Sequence, residues 1–224
     1  MKKYVFITLF VFLTNALVHG QSRETRNVGS FTKIAFRYPG KVYLKQGSPQ
    51  KVELEGSKDV LKEIETEVEG SKLVIGKENK WMDWNWGDDD RITVYITVPN
   101  IDGISVSGSG DIIGENRITT GDINLNVSGS GSLSLDVEAS GDIEADVSGS
   151  GDIDLKGKAR TFDSDVSGSG KVNLAMNING TADFSVSGSG KIEASGSADN
   201  VKTSISGSGK VLAAELQADR CEVR

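Results

Sequence analysis

Apolar and polar residues alternate along much of the chain beyond residue 100. In one stretch the apolar side chains and two glycines share a single phase: Ile123, Leu125, Val127, Gly129, Gly131, Leu133 and Leu135. A period of two residues is typical of extended strands with one buried face. The inward glycines indicate bends where the backbone approaches the core closely. The serines between them are predicted to face outward, as two ladders of hydroxyl groups.

The same stretch recurs almost unchanged as Val-Ser-Gly-Ser-Gly, followed by Asp or Lys in every copy but one. Its first serine lies at intervals of 19 to 21 residues, at Ser107, Ser128, Ser148, Ser167, Ser187 and Ser206. A fixed period of this length indicates a solenoid whose coils stack on one another. The sequence therefore predicts an all-β parallel β-helix of about six coils of roughly 20 residues, with successive strands ~4.8 Å apart.

The segments between the long alternating stretches are polar and short. Examples are 114–122, 136–142 and 156–161, each with one modest apolar contribution such as Ile118, Val137 or Ala159. We interpret them as the third side of each coil. An antiparallel sandwich of evenly spaced short strands is the alternative. Repetition of identical residues at equivalent positions favours the β-helix.

The chain divides into three regions. Residues 1–20 resemble a secretory signal peptide, because Lys2 and Lys3 precede an apolar run that is too short to span a membrane. Residues 21–100 are predicted to form a β-rich cap, continuous with the β-helix of residues 101–224. In the cap, Gly47–Pro49 indicates a hairpin turn and Ser57 is the predicted N-cap of a short helix that buries Leu61 and Ile64. Residues 91–99 alternate strictly and predict a strand.

Charge and composition exclude several classes of function. Loss of residues 1–20 removes two lysines and no acidic residue, which changes the formal net charge from −7 to −9, and it also removes His19, the single histidine. An acidic chain has no general attraction for nucleic acid or anionic lipid. Without histidine, Ser/His and Cys/His nucleophilic systems and the usual zinc sites are excluded. We therefore predict no catalytic residues, no metal ligands and no cofactor.

Two predictions concern the last coil. Cys221 shares the phase of Ile143 and Val201 and is predicted to be a buried small side chain. The chain stops at Arg224, just before the position where a further Ser-Gly-Ser-Gly stretch is expected. We expect either a piece of a longer protein or an open strand that pairs with a second chain, because the ends of solenoids are normally covered.

One segment before the repeats concentrates aromatic and acidic residues. Its members are Trp81, Asp83, Trp84, Trp86, Asp88, Asp89 and Asp90. These residues are the candidate ligand-binding site, because aromatic faces stack on sugar rings and carboxylates bind hydroxyl groups. The alternatives are a loop whose tryptophans fold back to cover the end of the solenoid, a mobile acidic loop, and a calcium site formed by the four aspartates.

Charged residues also follow the repeat. The position after each serine-glycine stretch is occupied by Asp111, Ser132, Asp152, Lys171, Lys191 and Lys210, which predicts a solvated column that is acidic in the early coils and basic in the late ones. Outward acids are candidates for a carboxylate-dependent polysaccharide hydrolase or lyase, namely Asp142, Glu144, Asp152, Asp154, Asp163 and Asp165. The same spacing is also the ordinary pattern of a soluble strand face.

Four stretches together resemble the head GIN domain family of auto-transporter adhesin-like proteins, which are exported proteins common in Bacteroidetes. They are Phe-Thr-Lys-Ile from Phe31, Val-Tyr-Leu-Lys-Gln-Gly from Val42, Ile-Thr-Val-Pro from Ile96, and the reiterated Val-Ser-Gly-Ser-Gly-Asp. The resemblance covers about residues 26–224. It implies a β-helical fold and a location in the cell envelope or at the surface, and it supplies no catalytic residues.

Three hypotheses for function follow. The first is a non-enzymatic periplasmic, surface or extracellular binding module that recognises a glycan or another cell-surface ligand. The second is a structural, assembly or sensory domain of the envelope that pairs with a partner, including self-association through the C-terminal strand. The third is the polysaccharide-acting enzyme.

Overall fold

The computed structural model describes residues 22–77 and 91–224, and these residues form an almost entirely β structure. Strands account for 74% of the described residues and helix for 3%, and the strands stack as parallel coils into a β-solenoid of about six turns. The predicted all-β solenoid is therefore confirmed. The predicted signal peptide and the segment containing the three tryptophans lie outside the described residues.

The elements follow one another along the described chain as eighteen strands and one helix. They are β1 (Ser22–Arg26), β2 (Lys33–Phe36), β3 (Gly40–Gln46), β4 (Lys51–Gly56), α1 (Lys58–Glu63), β5 (Glu65–Glu69), β6 (Lys72–Gly76), β7 (Ile92–Val98), β8 (Gly103–Gly108), β9 (Asp111–Gly114), β10 (Ile118–Thr120), β11 (Ile123–Gly129), β12 (Ser132–Ala139), β13 (Asp142–Gly149), β14 (Asp152–Ala159), β15 (Thr161–Gly168), β16 (Lys171–Gly188), β17 (Lys191–Gly207) and β18 (Lys210–Val223).

Each coil has three sides. The first side is represented by β11, the second by the beginning of β12 and the third by the end of β12, from Val137 to Ala139. In later coils a single strand covers several sides. For example, β16 forms the second and third sides of one coil and the first side of the next. The polar segments between the alternating stretches are thus extended chain that pairs with its neighbours.

The register confirms direct stacking of equivalent residues. Ser128 pairs with Ser107 in the coil before it and with Ser148 in the coil after it, and all these pairings are parallel. The pattern continues through Val147 with Val166 and on to later coils. Parallel in-register pairing excludes the antiparallel sandwich for the repeat region.

The core runs along the solenoid axis and is built from the predicted inward residues. Ile123, Leu125 and Val127 are each at most 1% exposed, and their equivalents as far as Ala182, Phe184 and Val186 are similarly buried. On the third side, large and small residues alternate from coil to coil in the register Val137, Gly157, Met176, Gly196. Both glycines have a positive φ, and a Cβ at either would meet the backbone carbonyl of the residue stacked on it in the preceding coil.

The serine-glycine stretch forms the corner between the first and second sides. The backbone N–H of Ser150 donates to the carbonyl of Gly129 in the preceding coil at 2.8 Å, and Ser169 donates to Gly149 at 2.7 Å. Gly149 has a φ of +118°, and a Cβ there would lie 2.7 Å from the Gly129 oxygen. The close approach at this glycine is therefore between successive coils, whereas the prediction placed it toward the core.

The strands of the N-terminal region stack in an order that differs from their order in the chain. β2 pairs in parallel with both β6 and β8, and β3 pairs in parallel with both β7 and β9. The β2–β3 coil thus lies between β6–β7 and β8–β9, and the parallel stack includes strands that precede residue 101. β4 pairs antiparallel with β7 and β1, and β5 pairs antiparallel with β6.

Two local predictions in this region have different outcomes. The helix is confirmed: Ser57 is its N-cap and accepts from the Val60 N–H, while Leu61 and Ile64 are buried. The hairpin at Gly47–Pro49 is wrong, because β3 and β4 both pair with β7 and are separated by it. The turn signal depends only on neighbouring residues, whereas the strand that lies between β3 and β4 is β7, which begins at Ile92.

The last coil also departs from the prediction. Cys221 is in register with Val201, as its phase requires, but it is exposed and not buried. β18 pairs with β17 along one edge, and in the part of the chain that the structure describes no strand pairs with its other edge. An inward residue is buried when one coil stacks above it and another below it. Cys221 has a neighbouring coil in one of these directions only, where β18 pairs with β17.

Candidate functional site

The residues predicted to bind a ligand are Trp81, Asp83, Trp84, Trp86, Asp88, Asp89 and Asp90, and all of them lie outside the described residues. Their role as a carbohydrate platform, or as a calcium loop, stays a prediction. The described residues present a different candidate, which the sequence patterns did not indicate.

This candidate is an open groove of about 590 Å³ at the bend between the second and third sides. Its floor is an in-register row of Leu135, Leu155, Leu174 and Ala194, each of which is 3–4% exposed. The polar side chains along one wall are Ser134, Asp154, Asn173 and Glu193, and the other wall contains Lys156, Ala175, Ser195 and Glu215. The groove runs along the solenoid axis because each wall takes one residue from each coil.

The pairing of the last two strands shapes one end of the groove. Glu193 pairs with Leu212 and Ser195 pairs with Glu215, so a bulge places Ala213 and Ala214 opposite the single residue Ala194. Leu212 lines the groove here and is 46% exposed. The groove therefore ends in an apolar patch, while its middle is polar along both walls.

Neighbouring side chains hold several groups of the groove in place. The Asn173 amide donates to the Asp154 carboxylate at 2.5 Å, and the Ser195 hydroxyl donates to the Leu174 carbonyl at 3.1 Å. Glu193 accepts from Lys171 at 2.6 Å and from Lys191 at 2.5 Å. Hydrogen bonds from these two ammonium groups lower the pKa of Glu193, so it is ionised at neutral pH. The groove thus offers fixed acceptors beside donors with remaining capacity.

The predicted charged column after the serine-glycine corner is confirmed in its register. Asp111 pairs with Ser132, and Asp152 pairs with Lys171, which is followed by Lys191 and Lys210. The Ser132 hydroxyl donates to Asp111 at 2.7 Å. Lys171 and Lys191 reduce their mutual repulsion by sharing Glu193.

The outward acids proposed for an enzyme fall on two different sides. Asp152 and Asp154 are on the second side, where Asp154 lines the groove, while Asp142, Glu144, Asp163 and Asp165 are on the first side. Asp142 binds Arg160 at 2.7 Å and also accepts from Thr161. Within residues 22–77 and 91–224, no group of three or more acidic, histidine or cysteine side chains is arranged to hold a metal ion.

An acidic block covers part of the first side. It comprises Glu144, Asp146, Asp163, Asp165 and Asp183, which are neighbours in register across β13, β15 and β16. Partial burial raises the pKa of Asp146, and the charge of Glu144 raises it further. Partial burial and the charge of Asp183 likewise raise the pKa of Asp163. This electrostatic strain comes from stacking equivalent acidic residues in successive coils.

Two aromatic residues near the N-terminal end form a surface stack that was not predicted from the sequence. The rings of Tyr43 and Tyr95 stack with centroids 5.5 Å apart, and the Arg23 guanidinium lies 4.0 Å from the Tyr95 centroid. Arg23 also binds Glu53 at 2.9 Å. The Tyr95 ring therefore lies between the Tyr43 ring and the Arg23 guanidinium, and the stack stabilises this edge of the structure.

The described residues contain no helix with the length and hydrophobicity needed to cross a membrane.

Comparison with solved structures finds chains of the same fold. A crystal structure of "a putative adhesin" from Bacteroides fragilis NCTC 9343 has a TM-score of 0.72 and 19% identity, with 91% of this chain and 95% of that chain covered. "Putative adhesins" from Parabacteroides distasonis ATCC 8503 and Parabacteroides merdae ATCC 43184 have TM-scores of 0.70, with 17% and 20% identity. Coverage is 92% of this chain and 98% of that chain for the first, and 91% and 96% for the second. A comparison with curated proteins gave no match.

The family comparison agrees with the resemblance carried by the repeats. The family described as "Putative auto-transporter adhesin, head GIN domain" matches residues 30–194 and, in a second match, residues 175–224. These ranges include the parallel stack of the N-terminal region and every serine-glycine corner. The chain belongs to the head GIN domain family.

Proposed function

We propose that this protein is an exported, non-enzymatic, adhesin-like binding module whose groove holds an extended glycan. The observation that carries the proposal is the groove itself, which runs across successive coils with an apolar floor and polar walls. Membership of a family described as adhesins, and a fold shared with proteins that bear the same description, support the adhesin-like role. Export and a location at the surface or in the periplasm fit the same description.

The chemistry of the groove suits a polymer of neutral sugars. A sugar ring has apolar C–H faces and hydroxyl groups that both donate and accept, so it matches an apolar floor between polar walls. Equivalent wall residues recur about every 4.8 Å along the axis, and the lining spans about 19 Å from Ser134 to Leu212. A ligand with a regular repeat can therefore meet similar donors and acceptors in several coils.

The segment with Trp81, Trp84 and Trp86 and the nearby aspartates is proposed as a second contact region. Tryptophan offers a large flat face to a sugar ring, and Asp83, Asp88, Asp89 and Asp90 can accept from its hydroxyl groups. Because calcium binding by these aspartates is the alternative, the contribution of the segment is measured with and without calcium.

A retention experiment tests the groove. The purified protein is passed over immobilised polysaccharides and glycoproteins, and released products are measured in the same samples. Ala175→Arg places a long charged side chain in the groove, and Ser204→Arg makes the same charge change at an exposed first-side position. We expect the wild type and Ser204→Arg to be retained and Ala175→Arg to lose about tenfold or more in affinity, the usual effect of blocking a central contact. The double variant Trp84→Ala/Trp86→Ala measures the second region separately.

Each outcome has a distinct meaning. Equal retention of Ala175→Arg and Ser204→Arg would contradict a binding site in the groove. Release of shortened saccharides would replace the binding module with the carboxylate-dependent enzyme and direct attention to Asp154 and the first-side acids. Retention that requires calcium and is lost in the tryptophan variant would assign binding to the tryptophan-aspartate segment instead.

A second candidate function is assembly, with β18 as the contact between two copies of the chain. The specific observation is the exposed edge of β18, where Val223 is 70% exposed and Leu212 is 46% exposed. Unpaired strand edges with apolar side chains readily add another strand. This role is compatible with glycan binding, since two copies joined in this way would present two grooves.

A further inference from the structure

The outward side chains of the second side form one column that continues beyond the groove. Ser134, the first residue of the polar wall, pairs with Ile113 of β9, and Ile113 pairs with Tyr43 of β3. Tyr43 in turn pairs with Tyr95 of β7. At its other end the column reaches Leu212. The column is therefore polar in the middle, where it borders the groove, and apolar or aromatic at both ends.

This column contains all the partly exposed aromatic side chains of residues 22–77 and 91–224, which are Tyr43 and Tyr95. The other aromatic residues in these ranges are buried, namely Phe31, Phe36, Tyr38, Phe162 and Phe184. A tyrosine combines a large apolar ring with a polar tip, and tyrosines are enriched at binding surfaces. The exposed aromatic surface of the described chain thus lies in line with the groove.

The ring of Tyr43 is supported on the side away from the groove. It stacks on Tyr95 with the ring centroids 5.5 Å apart, and the Arg23 guanidinium lies 4.0 Å from the Tyr95 centroid. Arg23 is itself held by Glu53 at 2.9 Å. An aromatic side chain that is fixed before binding loses little conformational entropy when a ligand arrives. The stack therefore makes Tyr43 a preorganised contact.

The path from the groove to Tyr43 is short and apolar. Two strand spacings, about 10 Å, separate Ser134 from Tyr43. Ile113, which is half-buried, lies between them, and Gly114 beside it adds no side chain. The Cδ2 atom of Leu135 lies 3.0 Å from the position that a Cβ of Gly114 would take. The apolar floor of the groove therefore continues from Leu135 past Gly114 to Ile113.

We infer that Tyr43 and Ile113 form a further subsite for the same neutral polymer, in which the C–H face of a sugar residue packs against the Tyr43 ring. The inference rests on the proposed function of the groove and lengthens its binding surface to about 29 Å, six strand spacings from Tyr43 to Leu212. Neither side chain of the subsite is charged, which suits the apolar face of a neutral sugar. A long polymer thereby gains a contact that a short oligosaccharide lacks.

Calorimetric titration with trisaccharides and octasaccharides of xylan, mannan, amylose and dextran tests the inference. A trisaccharide fits within the groove, whereas an octasaccharide extends beyond it to Tyr43. We expect the wild type to bind the octasaccharide of at least one series more tightly than its trisaccharide. Tyr43→Ala should weaken octasaccharide binding by about fivefold to tenfold, as expected for loss of an aromatic contact, and leave trisaccharide binding unchanged. Ala175→Arg, which blocks the groove, should weaken binding of both by about tenfold or more.

Two further variants serve as controls for the ring and for the strand. Tyr43→Phe keeps the ring and loses only the hydroxyl group, so it should bind the octasaccharide within about twofold of the wild type. Lys45→Ala changes an exposed residue of the same strand outside the column, and it should leave both affinities unchanged. Unchanged trisaccharide binding by Tyr43→Ala shows in addition that this variant is folded.

The outcomes separate failure of the subsite from failure of the groove. Equal affinities of the wild type for both lengths, no effect of Tyr43→Ala on the octasaccharide, or an equal loss in Tyr43→Phe would overturn the subsite, while the effect of Ala175→Arg upheld the groove. Equal weakening of both lengths by Tyr43→Ala would assign Tyr43 a purely structural role and overturn the subsite as well. Unchanged binding by Ala175→Arg, or no binding in any series, would overturn the groove and the subsite that rests on it.

Discussion

From the second corner onward, the first glycine of each Ser-Gly-Ser-Gly corner is required by two independent features. At Gly149, φ is +118°, and any Cβ would meet the carbonyl oxygen of Gly129 at 2.7 Å. We therefore expect Gly149→Ala to lower the free energy of unfolding by about 1–3 kcal/mol from backbone strain alone, with the contact adding to this. Ser148→Ala, one residue earlier and exposed, should change it by less than about 0.5 kcal/mol. Denaturant unfolding measures both, and equal stabilities would contradict this account of the corner.

Residues of the acidic block make stability depend on pH. The pKa values of Asp146 and Asp163 are raised above 3.8 by partial burial and by the neighbouring carboxylates. A raised native pKa means that the folded protein binds protons before the unfolded chain does, so this contribution to stability increases as the pH falls toward 3.8 and is lost as the pH rises through the native pKa. At neutral pH both carboxylates are ionised and oppose folding.

Removing these two charges should therefore stabilise the protein at neutral pH. We expect Asp146→Asn and Asp163→Asn to unfold at higher temperatures than the wild type at pH 7, and the difference to shrink as the pH falls toward 4. Asp199→Asn makes the same charge change at an exposed position outside the acidic block and serves as the control. A difference that does not narrow on acidification, or an equal effect of Asp199→Asn, would contradict the electrostatic explanation.

At the scale of strands, the sequence predicted those elements whose pattern repeats. The phase of Ile123, Leu125 and Val127 recurs in each coil, so one alternation determined which residues are buried in every coil that has a neighbour above and below it. The helix after Ser57 was also predictable, because its cap and apolar positions are local. The hairpin at Gly47–Pro49 was not, because its partner strand is inserted from β7. Local turn signals cannot report a distant strand that separates the two arms.

The groove, too, could be predicted from the sequence only in part. Its first floor residue, Leu135, was recognised as an inward position, and Asp154 was recognised as an outward acid. What the sequence did not indicate is that the side chains before and after the leucines of the floor line one groove. Cys221 was misplaced for a related reason: phase predicts the direction of a side chain, whereas burial also needs a coil on each side of it.

For the whole molecule, the exposed edge of β18 is the proposed contact between two copies of the chain. The Arg224 N–H donates to the Thr203 carbonyl at 2.9 Å and therefore points toward β17. Successive backbone N–H groups of a strand point to opposite edges, so the Val223 N–H points to the open edge. Val223→Pro therefore removes a donor from the open edge and leaves the β17–β18 pairing intact. If β18 joins two copies, sedimentation should show concentration-dependent dimers of the wild type and monomers of Val223→Pro.

A second variant separates the backbone from the side chain in this association. Val223→Thr keeps the outward N–H and the β-branched shape but replaces one methyl group with a hydroxyl group, and at 70% exposure it should scarcely change the stability of the monomer. Strand addition depends on the main-chain donors, so Val223→Thr should still dimerise, with somewhat weaker affinity. Equal loss of dimers in both variants would indicate apolar contact without strand pairing. A wild type that stays monomeric at all concentrations would exclude β18 as the contact between copies and leave the groove as the interaction surface to pursue.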